Sequence, residues 1–240
     1  MLPWRWPLTI GERQGNFLVM LRSIFLWLIW LGFILYLLVL APPLPEDWLE
    51  PVRSLLAGRI PAVNPVMLSL FSLVGIWLLI YSCLIFPDGR MQTLPAWAFM
   101  VASLGTGVFA LIPYLALRRP NQDFAREKDP WIAILDSQLT GIILTISTII
   151  LVLFAAIWGD WSGFVHEFVS NKFIHGMTLA IGLFCLLFPY PTLLQDDMAR
   201  RGLVPNSQLF QLAAWMPLFG PLSYLCLRPP LLAFRYSRSS

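Results

Sequence analysis

The chain has 240 residues, of which 58% are hydrophobic and 12% are charged, and its formal net charge is +3. Soluble domains are about half apolar and about a quarter charged, so this composition excludes an ordinary soluble protein and predicts a polytopic membrane protein. The small net charge and the scattered basic residues exclude nucleic acid as a partner. Three cysteines, Cys83, Cys185 and Cys226, lie in apolar runs without the spacing of a metal site or a disulfide framework.

Six apolar runs reach the length of about 20 residues that a helix needs to cross the hydrocarbon core of a bilayer. Their interiors contain no Asp, Glu, Lys or Arg, and tryptophan and tyrosine gather near their ends, as is typical of membrane interfaces. The predicted spans are 23–41, 66–86, 95–117, 138–158, 173–193 and 208–228. The sequence thus predicts an all-α polytopic membrane helical bundle of about six transmembrane helices. Residues 1–230 would form a single integral membrane domain, followed by a short basic tail at 231–240.

Two of the connections between these spans contain amphipathic segments. Residues 47–57 lie within a proline-rich connection and place apolar side chains on one helical face. Residues 159–172 place Phe164 and Phe168 on one side and His166 on the other. The pattern predicts two interfacial amphipathic helices that lie along the membrane surface.

An internal repeat is indicated by two sequence matches. Glu-Asp-Trp at 46–48 matches Gly-Asp-Trp at 159–161, and Tyr-Leu-Ala-Leu-Arg at 114–118 matches Tyr-Leu-Cys-Leu-Arg at 224–228. The proposed halves are 17–120 and 131–230, with chance similarity between apolar segments as the alternative. Because each half would contain three spans, the repeat would be inverted, with a pseudo-two-fold axis in the membrane plane.

The orientation of such a bundle is weakly specified by its charges. With six alternating spans, eight basic residues would lie on each side of the membrane. The first span usually has most influence, and the arginines that precede it favour both termini on the cytoplasmic side.

His175 is the first candidate for a functional side chain, because it lies just inside the fifth span. A neutral imidazole at this depth could ligate the metal of a haem or a chlorophyll, or pass a proton. It could equally be an interfacial histidine bonded to a carbonyl of the preceding turn. No motif in the sequence supports chlorophyll, carotenoid or haem as a cofactor.

The second candidate is a compact charged turn that contains Asp196, Asp197, Arg200 and Arg201. The four-residue spacing allows each aspartate to pair with an arginine on a helical turn. Paired carboxylates can also hold Mg²⁺ on a diphosphate, as in membrane prenyltransferases, but those enzymes need a second aspartate-rich motif. The other candidate for such a motif, at Asp88, has a single carboxylate.

Backbone breaks in two spans suggest a third kind of site. Gly105 and Gly107 of the third span correspond in depth to Trp215 and Pro217 of the sixth. Interrupted helices at matching places in a repeat are typical of transporter sites, because freed carbonyls and half-helix ends can meet a substrate. The alternative is that these residues produce ordinary packing kinks.

Four motifs in a fixed order resemble a known family. They lie at Leu135–Gly141, Ser170–His175, Asp197–Arg201 and Pro217–Leu225. Together they are similar to uncharacterised multi-pass membrane proteins of cyanobacteria and plant chloroplasts, over roughly residues 85–230. The resemblance implies a photosynthetic organism and its thylakoid or plasma membrane, and it implies no established activity.

The sequence contains no recognisable catalytic motif, so three functions remain as hypotheses. The first is a non-enzymatic accessory or assembly component of a photosynthetic membrane complex, with the lipid bilayer and the subunits of that complex as partners. The second is a small-solute transporter built on the inverted repeat. The third is a membrane lipid or isoprenoid enzyme that uses the Asp196–Asp197 turn.

Overall fold

The computed structural model describes residues 10–44, 64–121, 129–189, 192–204 and 216–231, with 208, 211 and 213 between the last two ranges. For residues 10–16 it describes the backbone alone. Within these ranges every regular element is a helix, which confirms the predicted all-α class. The first amphipathic segment, 47–57, and all of the basic tail except Leu231 lie outside the described residues.

Ten described helices build the bundle. In chain order they are α1 (Ile10–Val39), α2 (Pro65–Gly89), α3 (Ala96–Thr106), α4 (Val108–Leu117), α5 (Pro130–Asp136), α6 (Gln138–Trp158), α7 (Trp161–Ser170), α8 (Lys172–Leu187), α9 (Leu193–Arg200) and α10 (Phe219–Leu227).

Polar side chains define where several of these helices begin. Asn64, Ser137, Asp160 and Asn171 each accept a hydrogen bond from a backbone N–H in the first turn of the helix that follows. These caps satisfy donors that the helix itself cannot satisfy. They fix the starts of α2, α6, α7 and α8 within otherwise continuous apolar sequence.

Three helices among the described residues are long and apolar enough to cross a membrane: Phe17–Val39 of α1, all of α2 and all of α6. The helices α7 and α8 are together long and apolar enough for a fourth crossing, but they are bent by 101° where they meet. The protein is therefore an integral membrane protein. Because of this bend, α7, which is the second predicted amphipathic helix, lies nearly perpendicular to α8.

The predicted third span, 95–117, is not one continuous helix but a hairpin of α3 and α4. The break falls at Gly107, whose φ of 60° and ψ of −127° are accessible mainly to glycine. The rings of Phe99 and Tyr114 lie 5.6 Å apart, so the two helices run side by side in opposite directions. Each helix is about 15 Å long, half of the hydrocarbon thickness. The hairpin is re-entrant and returns to the side from which it entered.

The predicted sixth span, 208–228, also ends in a half-length helix. Its described part, α10, has 9 residues and begins after Leu218, which has a φ of 64°. Arg228 at the end of α10 contacts Asp197 in α9, so α10 returns to the side on which α8 ends. The described residues do not confirm six full spans, because hydropathy does not distinguish a hairpin such as α3–α4 from one long helix.

Contacts between helix ends give the direction of the first half. Near the start of α1, Arg22 donates a hydrogen bond to the backbone oxygen of Arg118 at the end of α4. Near the other end of α1, Tyr36 is hydrogen-bonded to His175 at the start of α8. Hence α1 runs away from the side where α4 ends, and α8 runs toward that side.

The second half has the same direction as the first. The side chain of Gln138 at the start of α6 lies 3.5 Å from the backbone oxygen of Arg228 at the end of α10. At the other end of α6, Asn64 before α2 donates to the backbone oxygen of Asp160. The first long helix of each half, α1 or α6, therefore leaves from the same side. An inverted repeat would require opposite directions, so the described helices do not confirm the predicted inverted repeat.

The core lies between α2 and α8 and is largely aromatic. Trp77 stacks on Phe184 with 6.1 Å between the ring centroids, and Phe188 packs on Trp77 edge to face at the same distance. The hydroxyl of Tyr81 donates to the backbone oxygen of Phe184 at 2.9 Å. These contacts fix α2 against α8, and α3 and α10 also pack against α2.

Candidate functional site

Eight charged side chains form a buried network where α2, α4, α5, α9 and α10 end. None of them is more than 6% exposed. Isolated charges cannot be buried at this depth without partners, because the loss of hydration costs several kcal/mol for each ion. The network consists of Asp88, Arg118, Asp136, Asp196, Asp197, Arg200, Arg201 and Arg228.

The first part of the network is centred on Asp88 at the end of α2. Arg118 donates to both carboxylate oxygens of Asp88, at 2.9 Å from Nε and 2.7 Å from Nη2. Tyr114 donates to the same carboxylate at 2.9 Å. Arg200 adds a third donor at 2.5 Å, and Arg118 also contacts Asp196 at 2.5 Å. Asp88 thus fastens the end of α2 to the end of α4 and to α9.

The second part is centred on Asp197 in α9. Arg201 donates to both carboxylate oxygens, at 2.8 Å from Nε and 3.1 Å from Nη2. Tyr224 donates at 2.7 Å and Arg228 at 3.3 Å. Arg201 also contacts Asp136 at 2.5 Å. Asp197 thus fastens α9 to the end of α10, and Arg201 links it to the end of α5.

The two parts use the same local arrangement, which we call the clamp: a buried aspartate held by a tyrosine and by the arginine four residues later. In the first clamp Tyr114 and Arg118 hold Asp88, and in the second Tyr224 and Arg228 hold Asp197. A spacing of four places both side chains on one face of a helix end. The matched sequences at 114–118 and 224–228 therefore make the same contacts.

The charges of the α9 turn are stabilised by their neighbours. Burial alone would raise the pKa of Asp197, but the guanidinium groups of Arg201 and Arg228 outweigh it and hold that pKa well below its usual range. Burial raises the pKa of Asp196, and the guanidinium of Arg118 offsets this in part. Burial would lower the pKa of Arg201, yet the charge of Asp197 raises it overall. Asp197 and Arg201 therefore form a charged pair at neutral pH.

The predicted site residues fall in two separate places. Asp196, Asp197, Arg200 and Arg201 belong to the network, whereas His175 lies at the opposite end of α8. Of the two predicted local pairs, Asp197 and Arg201 do pair four residues apart. Asp196 instead accepts from Arg118, and Arg200 instead donates to Asp88.

His175 uses both ring nitrogens within the protein. Its Nδ1 lies 2.9 Å from the backbone oxygen of Phe168, which can only accept, so Nδ1 carries the proton. Its Nε2 lies 2.7 Å from the hydroxyl of Tyr36, and in the neutral tautomer it accepts from that hydroxyl. The ring also stacks on Phe168 at 4.5 Å. This is the geometry of a histidine bonded to a carbonyl of the preceding helix, and a metal ligand role would require Tyr36 to leave Nε2.

Sequence reasoning missed half of the network as site residues. In the sequence Asp88 is a single carboxylate, and Arg118 and Arg228 lie at the ends of predicted spans. The available signal was the Tyr-x-x-x-Arg pattern, which occurs at both 114–118 and 224–228. Two identical motifs at helix ends suggest that each binds an acidic side chain. Among the described residues, no group of three or more His, Cys, Asp or Glu side chains is arranged to hold a metal ion.

No protein-family model, curated protein or solved structure matches the chain. The class of protein therefore rests on the fold: an all-helical integral membrane protein in which the α3–α4 hairpin and the half-length helix α10 are fastened by a buried ion-pair network. The resemblance to multi-pass proteins of cyanobacteria and chloroplasts stays a prediction.

Proposed function

We propose that the protein is a non-enzymatic accessory or assembly component of a photosynthetic membrane complex. The observation that carries this proposal is that the carboxylates of the network are bonded to arginines of the same chain. Both oxygens of Asp88 and both oxygens of Asp197 accept hydrogen bonds from arginine side chains of the same chain. Such charges fasten helices to one another, and carboxylates that bind Mg²⁺ on a diphosphate would have to leave their arginines first.

The exposed apolar faces of α1 and α6 support a role in contact with lipid or with other membrane subunits. In the candidate spans of α1 and α6, the shares of buried residues are 17% and 22%, against 56% for α2. Ile142, Ile146, Ile150 and Leu153 are exposed along α6. In this proposal the outer faces of α1 and α6 meet the bilayer and the partner subunits, and the photosynthetic setting follows from the sequence resemblance.

The distribution of basic residues supports a cytoplasmic or stromal location for the network side. Basic residues concentrate on the cytoplasmic side of membrane proteins. On the network side the described residues include Arg22, Arg90, Arg118, Arg119, Arg200, Arg201 and Arg228, whereas the opposite side has Lys172. The two ends of the described chain, at the start of α1 and at Leu231, lie on the network side. Both termini are therefore proposed to be cytoplasmic.

Cysteine labelling tests this orientation. In a background without Cys83, Cys185 and Cys226, Ser170→Cys reports on the far side and Arg119→Cys on the network side; both positions are exposed. A membrane-impermeant maleimide should label the Ser170 variant in intact cells and the Arg119 variant after permeabilisation alone. The reverse pattern would contradict the proposed orientation.

The accessory role is tested by gentle purification from a photosynthetic membrane. The tagged protein, extracted in a mild detergent, should migrate on native gels with subunits of a photosynthetic complex. Deleting the gene should reduce the amount of that assembled complex. The proposal fails if the protein is recovered alone and the complex assembles at normal levels without it.

A transporter is the second candidate, favoured by the backbone breaks that precede the half-length helices α4 and α10. Gly107 and Leu218 both have positive φ values at the start of a half-length helix that returns to the network side. Such breaks free backbone groups that can coordinate a solute. Gly107→Ala should then abolish flux into proteoliposomes, because the added Cβ is strained at this φ. Gly105→Ala is the matched control, since its Cβ would meet nothing within 4 Å.

A further inference from the structure

His175 joins three helix ends on the side of the membrane opposite the network. It lies at the start of α8 and is 9% exposed. Its Nδ1 donates to the backbone oxygen of Phe168 near the end of α7, and its Nε2 is hydrogen-bonded to the hydroxyl of Tyr36 near the end of α1. A single side chain therefore holds the corner between α7 and α8 against α1.

Helix α7 is attached to the rest of the bundle near its two ends. None of its 10 residues is buried. At its start, Asn64 donates to the backbone oxygen of Asp160. Near its end, the ring of His175 stacks on Phe168, and Nδ1 satisfies a carbonyl in the last turn that the helix itself leaves free. If His175 moves away, α7 keeps its attachment at Asp160 and its peptide link to α8.

The hydrogen bond between Tyr36 and His175 depends on the charge of the imidazole. In the neutral ring with a proton on Nδ1, Nε2 accepts from the hydroxyl of Tyr36 at 2.7 Å. Protonation places a second N–H at this position, so the hydroxyl can no longer donate to it. Histidine side chains change their charge between about pH 5 and 8. This hydrogen bond is therefore sensitive to pH in the physiological range.

The charged imidazole would have no carboxylate partner among the described residues. The titratable side chains of the helix ends around it are Tyr36 of α1, Asp160, His166 and Glu167 of α7, and Lys172 of α8. Asp160 caps the start of α7, and the carboxylate of Glu167 accepts from the side chain of Asn171 at 2.9 Å. Helices α2 and α4 also pack against α8, and their titratable side chains begin at Tyr81, which bonds to Phe184 in the last turn of α8.

Two opposing effects act on a positive charge at His175. The dipole of α7 favours a cation near its last turn by about 0.3–1 kcal/mol. The burial of an ion without a counter-charge costs several kcal/mol. The cost of burial is the larger of the two, so the charged imidazole is stable only where it can reach water.

We propose that His175 is a pH-sensitive latch on the side of the membrane opposite the network. At neutral pH the uncharged imidazole holds α1, α7 and α8 together. In acid the charged ring leaves Tyr36 and turns toward the membrane interface with the end of α7, so that the corner opens while the network stays closed. One linked proton changes the ratio of open to closed forms by at most about tenfold per pH unit.

The latch is tested by measuring distances between spin labels in the purified full-length protein. In the same cysteine-free background, Leu38→Cys on α1 and Val169→Cys on α7 carry the labels, and both positions are exposed. Between about pH 8 and about pH 5, the ratio of longer to original distances should rise by more than about tenfold. A second pair at the network end, Leu18→Cys and Arg119→Cys, is also exposed and should keep its distances.

The chain has two histidines, which supply matched variants. His175→Gln keeps one donor and one acceptor but cannot be protonated in this range, so its distances should be the same at both pH values. His166→Gln removes the exposed histidine of α7 and should keep the full response of the wild type. Tyr36→Phe removes the bond to α1 and should show the longer distances already at about pH 8.

Three results would overturn the proposal: unchanged distances in the wild type, an equal response in His175→Gln, or loss of the response in His166→Gln. An equal change in the pair at the network end would also overturn it, because acid would then act on the whole bundle. If His175→Gln does not fold, Tyr36→Phe decides the question. Distances in Tyr36→Phe that match the wild type at both pH values would show that this hydrogen bond does not hold the corner.

Discussion

Replacing Asp197 by asparagine tests whether the network holds the fold together. Asp197 is fully buried and accepts hydrogen bonds from Arg201, Arg228 and Tyr224. The substitution keeps the shape of the side chain but removes the carboxylate that pairs with Arg228 and one of the two that pair with Arg201. Breaking one partner of a buried ion pair costs about 3–5 kcal/mol.

A loss of this size should lower the thermal unfolding midpoint by about 10 °C in a domain of this length. The measurement is intrinsic tryptophan fluorescence during heating of the purified protein in a mild detergent. Asp160→Asn is the control, because Asp160 is an exposed helix cap and asparagine also caps helices well. The reasoning is refuted if Asp197→Asn unfolds within about 2 °C of the wild type.

The stability difference between the wild type and Asp197→Asn should depend on pH with a defined sign. The folded-state pKa of Asp197 is depressed below its unfolded value, so the carboxylate contributes its full stability above the unfolded pKa. That unfolded value is about 3.9. The difference in stability between the wild type and Asp197→Asn should be constant from neutral pH to about pH 5 and should shrink below about pH 4.

Three further substitutions probe separate contacts. Gly141→Ala should lower the unfolding midpoint, because the added Cβ would lie 2.7 Å from the backbone of α10. Such overpacking costs about 1–3 kcal/mol. Gly75→Ala is the control, because its Cβ would meet nothing within 4 Å. Tyr224→Phe removes one hydrogen bond to a buried charge and should cost about 1.5–3 kcal/mol in chemical unfolding. Tyr36→Phe frees Nε2 of His175 and should loosen the corner between α7 and α8, measured as faster amide exchange at that corner with unchanged exchange in the core.

Composition and periodicity were sufficient for the class of protein and for several local features. The apolar runs at 66–86 and 138–158 correspond to α2 and α6. The amphipathic pattern of 159–172 corresponds to α7, which is set at 101° to α8. These features depend on local sequence alone: the length of an apolar run, its periodicity and a capping residue at its start.

The α3–α4 hairpin could not be predicted in the same way. An apolar run of 23 residues at 95–117 satisfies the length of a crossing whether or not it folds back. Gly107 was visible in the sequence, but a glycine within an apolar run is also compatible with a kink. The decision depends on tertiary contacts between Arg118 and Asp88, which are 30 residues apart. Counting residues 95–117 as one crossing predicts that α6 runs opposite to α1, and the predicted repeat is then inverted.

The half-length helices α4 and α10 also give a physical reason for burying so many charges. A helix that turns back at half depth ends with unsatisfied carbonyls close to the bundle, where water cannot reach all of them. Arg22 donates to the backbone oxygen of Arg118 after α4, and Arg201 donates to that of Pro229 after α10. Arginines at these ends are also favoured by the negative pole of the helix dipole.

These arginines need counter-charges in turn, because a buried guanidinium without a carboxylate is costly. The only groups that can supply them without crossing the apolar core are those at neighbouring helix ends on the same side. Asp88 at the end of α2 and Asp197 in α9 occupy those positions, next to Arg118 and Arg228. The network therefore follows from the half-length helices, since the same residues close the ends of α4 and α10 and fasten α4 to α2 and α10 to α9.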